Sequence, residues 1–339
     1  MRLIAVAALI AAGTFLGALR VKAVTFEGQY YVPLAEFARA NGFRLYAASA
    51  REDVLQNGNM RLIFDVNSAH AEIGGVNVVL SYPIAAEHGE LLISQLDIET
   101  ALRPLIFPPK PNHKRITTIC LDPGHGGRDT GNRVVGFLTH NEKTYTLALG
   151  FELRRQLMAA GFHVIMTRTK DVYVPLPDRP ALANRERADL FISLHFNATP
   201  VDKAETKGPQ TYCITPVGAE SSNSHGESGQ IGSAVGTGPT VANRCEDKSL
   251  LLAYQVEKSL VENLHANDQG VKRARFAVLR DATMPAILIE GGFMTHPLES
   301  KKIYSAVYRR EMAAAIVKGI FEYQKLTAPP RHKTARAGE

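Results

Sequence analysis

Four residues of this chain have the types and settings from which a hydrolytic metal site can be built: His125, Glu142, His195 and Glu290. His125 follows an apolar stretch and sits inside a glycine-rich turn, Leu121-Asp122-Pro123-Gly124-His125-Gly126-Gly127. Glycines there permit positive φ and close approach of the backbone to a bound group. No Lys-[Ser/Thr] follows, which argues against a phosphate-cradling loop. Glu142 opens a helical pattern, where the helix dipole favours a carboxylate even without function. His195 ends the apolar run Phe191 to Leu194, a setting that a hydrogen-bonded core histidine also fits. Taken together, two histidines and a glutamate at loop-facing ends of separate elements form the His₂Glu set of catalytic zinc. Zinc takes three such ligands and keeps a fourth position open for water. Glu290 ends a second apolar strand, Pro285 to Ile289, and precedes Gly291-Gly292. Burying its carboxylate without a partner is unfavourable. Either a structural ion pair resolves this, or a nearby metal water does, with Glu290 as its general base.

Alternating strands and helices position these residues. Strands are expected at Ile116 to Leu121, Phe162 to Arg168, Asp189 to His195, Thr211 to Thr215, Phe276 to Leu279 and Ala286 to Glu290. Helices are expected at Glu142 to Ala160, Leu182 to Arg187, Leu250 to Leu264 and Lys301 to Gln324. Repeated βα units of this kind predict an α/β fold with a mostly parallel central sheet sandwiched by helices. In such sheets ligands collect where strands end and loops converge.

The rest of the chain divides around that domain, residues 116–326. Residues 24–107 read as a small α+β domain associated with the envelope. Two turns, Gly28-Gln29-Tyr30-Tyr31-Val32 and Gly89-Glu90-Leu91-Leu92-Ile93, give it a weak internal repeat, and Ile73-Gly74-Gly75-Val76 reads as a tight hairpin. His70 and His88 read as surface histidines. Residues 108–115 hold three prolines and form an extended linker. Residues 217–243 are rich in Gly, Ser and Thr and predict a flexible insertion, expected to lie over the metal cleft as a partial cover. Residues 327–339 form a basic, disordered tail.

Composition sets limits. The chain has 339 residues, 45% of them hydrophobic and 21% charged, so a packed globular protein is expected. A net charge of +6 suits an anionic partner. The three cysteines match no CxxC metal site, although Cys213 and Cys245 could pair in an oxidising compartment. Arg2, the apolar run Leu3 to Leu19, and Val21-Lys22-Ala23 have the layout of a secretory signal peptide over residues 1–23; retained, the same run would be a membrane anchor. Export to the periplasm or cell envelope is expected, with no stable membrane span once the signal is removed.

The runs Asp122 to Gly127, Glu142-Lys143, Ser193 to Ala198 and Pro285 to Phe293 resemble, in the same order, the zinc-dependent N-acetylmuramoyl-L-alanine amidases of the autolysin and cell-division type. So do Thr167-Arg168 with Asp171, and Arg179 with Ala183-Asn184. The resemblance covers residues 116–325. It implies one zinc per chain on His125, Glu142 and His195, with Glu290 as the catalytic carboxylate. It also implies peptidoglycan as substrate; no nucleic-acid partner is expected, and a protein activator is left open. Two positions depart from the family pattern: Gln269 before Gly270-Val271-Lys272, and His296 after Gly-Phe-Met-Thr. The alternatives are a zinc peptidase acting within the stem peptide and a non-catalytic wall-binding protein. The two Gly turns of residues 24–107 weakly resemble the small N-terminal domain of copper amine oxidases.

Overall fold

Each βα crossover must bring the chain back to the same end of the sheet, so successive parallel strands finish along one edge. The computed structural model shows how far this chain follows that rule. It describes residues 24–26, 28–49, 51–58, 60–111, 115–222 and 236–328. The expected signal segment, part of the expected linker, the middle of the Gly/Ser-rich insertion and nearly all of the basic tail lie outside the described residues.

The chain opens with β1 (Val24–Phe26), β2 (Gln29–Pro33) and a helix, Leu34–Ala40. An antiparallel meander follows: β3 (Arg44–Ala47), β4 (Glu52–Asn57), β5 (Met60–Asp65), β6 (His70–Ile73) and β7 (Val76–Val79). β8 (Ala85–Glu87) and β9 (Glu90–Ser94) lead into a short helical segment that ends at Ile106. The two repeated Gly turns pair with each other, since β2 and β9 run antiparallel with Tyr31 opposite Ser94. Ile73 and Val76 close the β6–β7 hairpin. His70 and His88 are exposed.

The second part supplies β10 (Thr118–Pro123), the hairpin β11 (Arg133–Val135) and β12 (Thr139–Asn141), and the helix Glu142–Ala159. After these come β13 (His163–Met166), the helix Asp178–Arg185, β14 (Leu190–Asn197), β15 (Gln210–Cys213) and the helix Glu246–Leu264. β16 (Val271–Arg273), the helix Ala277–Arg280, β17 (Ala286–Phe293) and two further helices, Glu299–Tyr304 and Ala306–Thr327, complete it. The sheet order begins β13-β10-β14-β17-β15-β16. The first four strands are parallel, β15 runs antiparallel to β17, and β16 is parallel to β15. Helices cover both faces. Leu149, Leu153, Leu250, Ile316 and Ile320 pack on one face with Ile192 and Ile289. Ala183, Val278 and Leu279 pack on the other with Phe191 and Leu288. The expected α/β class stands.

Several expected elements differ. Phe276 to Leu279 is a helical turn (Ala277–Arg280) rather than a strand, because a short apolar run carries no periodicity that separates the two. The strand β16 is too short and too charged to show in the sequence. The expected long helix from Lys301 is two helices, broken at Ser305, whose backbone is extended (φ −80°, ψ 131°). Cys213 is buried in β15 and Cys245 approaches the Thr283 carbonyl, and both are free thiols.

The boundary near residue 107 is one of topology and not of packing. β7 pairs in parallel with β16, Val78 opposite Val271, so the meander extends the same sheet to eleven strands. Asp268 accepts from the Asn77 backbone N–H (2.6 Å), and the Tyr254 hydroxyl donates to the Ile73 carbonyl (2.9 Å). Arg273 donates to the Thr100 carbonyl. Leu62, Phe64, Ile73 and Val78 share one apolar core with Leu251, Val256 and Val271. A chain beginning at Ile116 would expose this edge and the core side chains that pack against the lost strands. Thermal denaturation is expected to show a midpoint at least 5 °C below that of the full chain, or aggregation, because lost core contacts of this size cost several kcal/mol. An unchanged midpoint would show that the meander contributes nothing to the second part.

Candidate metal centre

Pro123 ends β10, and the chain turns at once through Gly124 into His125. His125 adopts a left-handed backbone (φ 61°), which a residue with a Cβ holds only where its surroundings enforce it. Gly124 admits no substitute, because a Cβ there would lie 2.2 Å from the His195 ring. Two buried arginines fix the turn. Arg179 donates to Asp122 Oδ1 (2.7 Å) and to the His125 carbonyl (3.0 Å). Arg168 donates to the carbonyls of Pro123, Gly124 and Lys143 at 2.8–2.9 Å. Burial alone would raise the Asp122 pKa, but the Arg179 guanidinium, with the Thr167 and Ser193 hydroxyls, holds it below the usual carboxylate range. Burial and the neighbouring Arg179 charge press Arg168 down to about 10.

Glu142 is the first residue of its helix and is almost fully buried. One oxygen, Oε1, accepts from the Phe196 backbone N–H (3.0 Å) and lies 3.0 Å from His195 Nδ1. The other, Oε2, accepts from the Asn132 backbone N–H (2.8 Å) and lies 3.1 Å from His125 Nε2. The two imidazoles meet edge to face, ring centroids 4.8 Å apart. Gly131 is required on the far side, where a Cβ would come within 2.6 Å of the Glu142 carboxylate. Asp129 Oδ2 lies 2.9 Å from His125 Nδ1, so its carboxylate accepts the hydrogen bond from Nδ1–H, and Nε2 faces Glu142. This orienting carboxylate went unread in the sequence. Its signal is an acid just after the Gly-His-Gly-Gly turn.

Candidate ligand atoms of His125, Glu142 and His195 all lie within 4.8 Å of one another, and among the described residues they form the one such group of His, Cys, Asp and Glu. Glu142 turns one oxygen to each ring, Oε2 3.1 Å from His125 Nε2 and Oε1 3.0 Å from His195 Nδ1, so each imidazole has a carboxylate ligand atom near the roughly 3.4 Å spacing that a tetrahedral ion with bonds of about 2.1 Å requires. The donor set therefore fits a metal ion such as zinc. Electrostatics agree. Burial would raise the Glu142 pKa, but His125 and His195 hold it far below the carboxylate range. Burial lowers the His195 pKa, favouring the neutral imidazole that binds metals. Burial also opposes charge on His125, but Glu142 and Asp129 prevail and raise it to about 10. A cation entering this site displaces that proton.

Glu290 lies one strand away. It is opposite His195 in the parallel β14–β17 register, so the two side chains share a face of the sheet. It is 5% exposed. The fourfold set predicted from the sequence is thus brought together at the carboxyl ends of β10, β14 and β17. The two departures from the family pattern have structural roles: Gln269 donates to the Lys207 carbonyl (2.8 Å), and His296 Nδ1 accepts from the Glu299 N–H (3.0 Å) at the start of a helix. The Gly/Ser-rich insertion does not leave from this end. Because β15 runs antiparallel to β17, Gln210 lies opposite Glu290 and Cys213 points away from the site. The described ends of the insertion meet at the opposite edge, where Gly218 donates to the Thr237 carbonyl and Arg275 binds the carbonyls of Pro216 and Gly238. The expected cover over the cleft is therefore not supported by the stems.

Residues 119–322 match the family model described as N-acetylmuramoyl-L-alanine amidase. The chain is similar to the N-acetylmuramoyl-L-alanine amidase AmiC of Neisseria meningitidis serogroup B, with 36% identity over 231 residues, 64% of this chain and 55% of AmiC. Among solved structures it is similar to the N-acetylmuramoyl-L-alanine amidase from Clostridium difficile 630 (TM-score 0.50, 30% identity, 62% of this chain and 98% of that one). It is also similar to the CwlD amidase from Clostridioides difficile, solved in complex with the GerS lipoprotein (TM-score 0.50, 25% identity, 62% and 99%). The chain spans little more than half the length of the curated AmiC relatives it matches.

Four outcomes are expected. Elemental analysis of His125→Ala and His195→Ala should find the metal lost, and full retention in both would refute the site. Asp129→Ala should weaken metal binding about 10- to 100-fold, as loss of an orienting partner does, measured by competition with a chelator. Release of one proton from His125 predicts that apparent affinity weakens about tenfold per unit fall in pH. Asp122→Ala leaves Arg179 charged and buried, and should cost roughly 3–5 kcal/mol in denaturant unfolding. With its folded pKa depressed, Asp122 contributes its full stabilisation above the ordinary carboxylate pKa, and that stability is lost as pH falls below it and through the lower folded value.

Proposed function

Because the chain belongs to the N-acetylmuramoyl-L-alanine amidase family, we propose that it hydrolyses the amide bond between the lactyl group of N-acetylmuramic acid and L-alanine in peptidoglycan, using one zinc ion. The observation that carries this reading is the buried His125–Glu142–His195 cluster with Glu290 in register beside it. Bound zinc supplies Lewis acidity toward a carbonyl oxygen and acidifies water toward a pKa of about 7. His125, Glu142 and His195 would hold the ion, and Asp129, 2.9 Å from His125 Nδ1, fixes the orientation of that ring. The Glu290 carboxylate accepts a proton from water as that water attacks the lactyl carbonyl. The same carboxyl then returns the proton to the L-alanine nitrogen as the C–N bond breaks. Burial of His195 and Glu290 keeps bulk water from these steps.

Peptidoglycan lies outside the cytoplasmic membrane, so this activity goes with export to the cell envelope, directed by the apolar segment of residues 1–23. Among the described residues no helix is long and apolar enough to cross a membrane. The CwlD amidase is solved in complex with a lipoprotein, which supports a protein partner for this chain.

Incubation of the zinc-loaded protein with purified sacculi, followed by mass spectrometry, tests the reading. Products with a free L-alanine amino group and intact lactyl-muramic acid are expected. Cleavage inside the stem peptide would assign a peptidase instead, and no cleavage would leave a wall-binding protein. Glu290→Ala is expected to keep its zinc and lose about 10²–10⁴-fold in kcat. Turnover at the wild-type rate would make Glu290 structural.

A further inference from the structure

The row that carries His195 and Glu290 does not end at Glu290. β15 lies on the other side of β17, and its first residue, Gln210, is directly opposite Glu290. His195, Glu290 and Gln210 therefore stand side by side on three neighbouring strands and on one face of the sheet. Opposed residues of an antiparallel pair have Cβ atoms about 4.5–5.5 Å apart, within reach of a glutamine carboxamide and a glutamate carboxylate. Gln210 is fully buried. Its Oε1 accepts from the Tyr212 hydroxyl (3.3 Å), two residues along the strand and away from the metal end. Its Nε2 has no acceptor within hydrogen-bond distance. An amide donor left unsatisfied in the interior is unfavourable, and buried polar groups are normally paired. A leucine or methionine would fill the same space without that penalty.

We propose that Gln210 is the positioning residue for Glu290. Tyr212 holds the carboxamide oxygen, and Nε2, unpaired in this structure, turns to donate to the Glu290 carboxylate when substrate is bound, keeping it aimed at the water and then at the amine nitrogen. Gln210 itself is sealed from solvent and does not touch substrate. This assignment rests on the amidase reading of the site and adds the group that orients its base.

The test is a double-mutant cycle in the full-length, zinc-loaded protein, assayed on muropeptides. Gln210→Met keeps volume and removes the donor. Its kcat is expected to fall about 10- to 100-fold, the range of one hydrogen bond to a charged group, with KM, zinc content and thermal midpoint unchanged. In a Glu290→Gln background the same substitution should cause no further loss, because its effect runs through the carboxylate. Should Gln210→Met fail to fold, Gln210→Ala is read through the same cycle. Wild-type kcat in the Gln210 variant, or an equal loss with and without the Glu290 carboxylate, overturns the assignment while leaving the amidase reading intact. An inactive wild-type protein overturns both.

Discussion

A carboxylate placed in a protein interior must be neutralised or fully hydrogen-bonded, and Glu142 meets that demand through the two histidines it faces. Each of its oxygens takes one backbone N–H and addresses one imidazole. The backbone donors come from Asn132 and Phe196, far apart in the chain, so the carboxylate joins the loop after β10 to the end of β14. Its position at a helix N-terminus adds the favourable dipole. Gly124 and Gly131 are small because this cluster leaves no room for a Cβ beside it. The same arrangement is the donor set for a metal ion, so the electrostatic demand of the fold and the chemistry of the site have one solution.

Around it lies a shell of buried cations that acts on backbone carbonyls rather than on substrate. Arg168 and Arg179 gather the carbonyls of Pro123, Gly124, His125 and Lys143. A loop with so many inward carbonyls would otherwise be unsatisfied. Asp122 compensates Arg179 from within the strand. The left-handed His125 is held by this frame, which joins Arg168 and Arg179 to the turn that carries it.

Strand direction decides what surrounds the cleft. β10, β14 and β17 are parallel and deliver His125, His195 and Glu290 to one edge. β15 reverses, bringing Gln210 to that edge and the described stems of the Gly/Ser-rich insertion to the other. Reversal also makes β16 the partner of β7, so the antiparallel meander continues the sheet that carries the site. The residues before 107 are thereby part of the support of the site's far flank.

The sequence by itself determined the chemistry. Glycines around a histidine, an acid at a helix start, and a histidine and a glutamate at ends of apolar strands are local signals, set by side-chain type and by neighbours a few residues away. Alternating patterns of period two and 3.6 likewise determined the α/β class and most of its strands and helices. What only the tertiary structure decided was relation: that Asp129 orients His125, that β15 runs backwards, that Gln210 stands beside Glu290, and that the meander shares a sheet with the second part. A four-residue apolar strand reads the same in either direction, and an edge strand does not announce its partner. Strand order and direction arise from contacts between residues tens to hundreds of positions apart, whose energies depend on packing that no local pattern records.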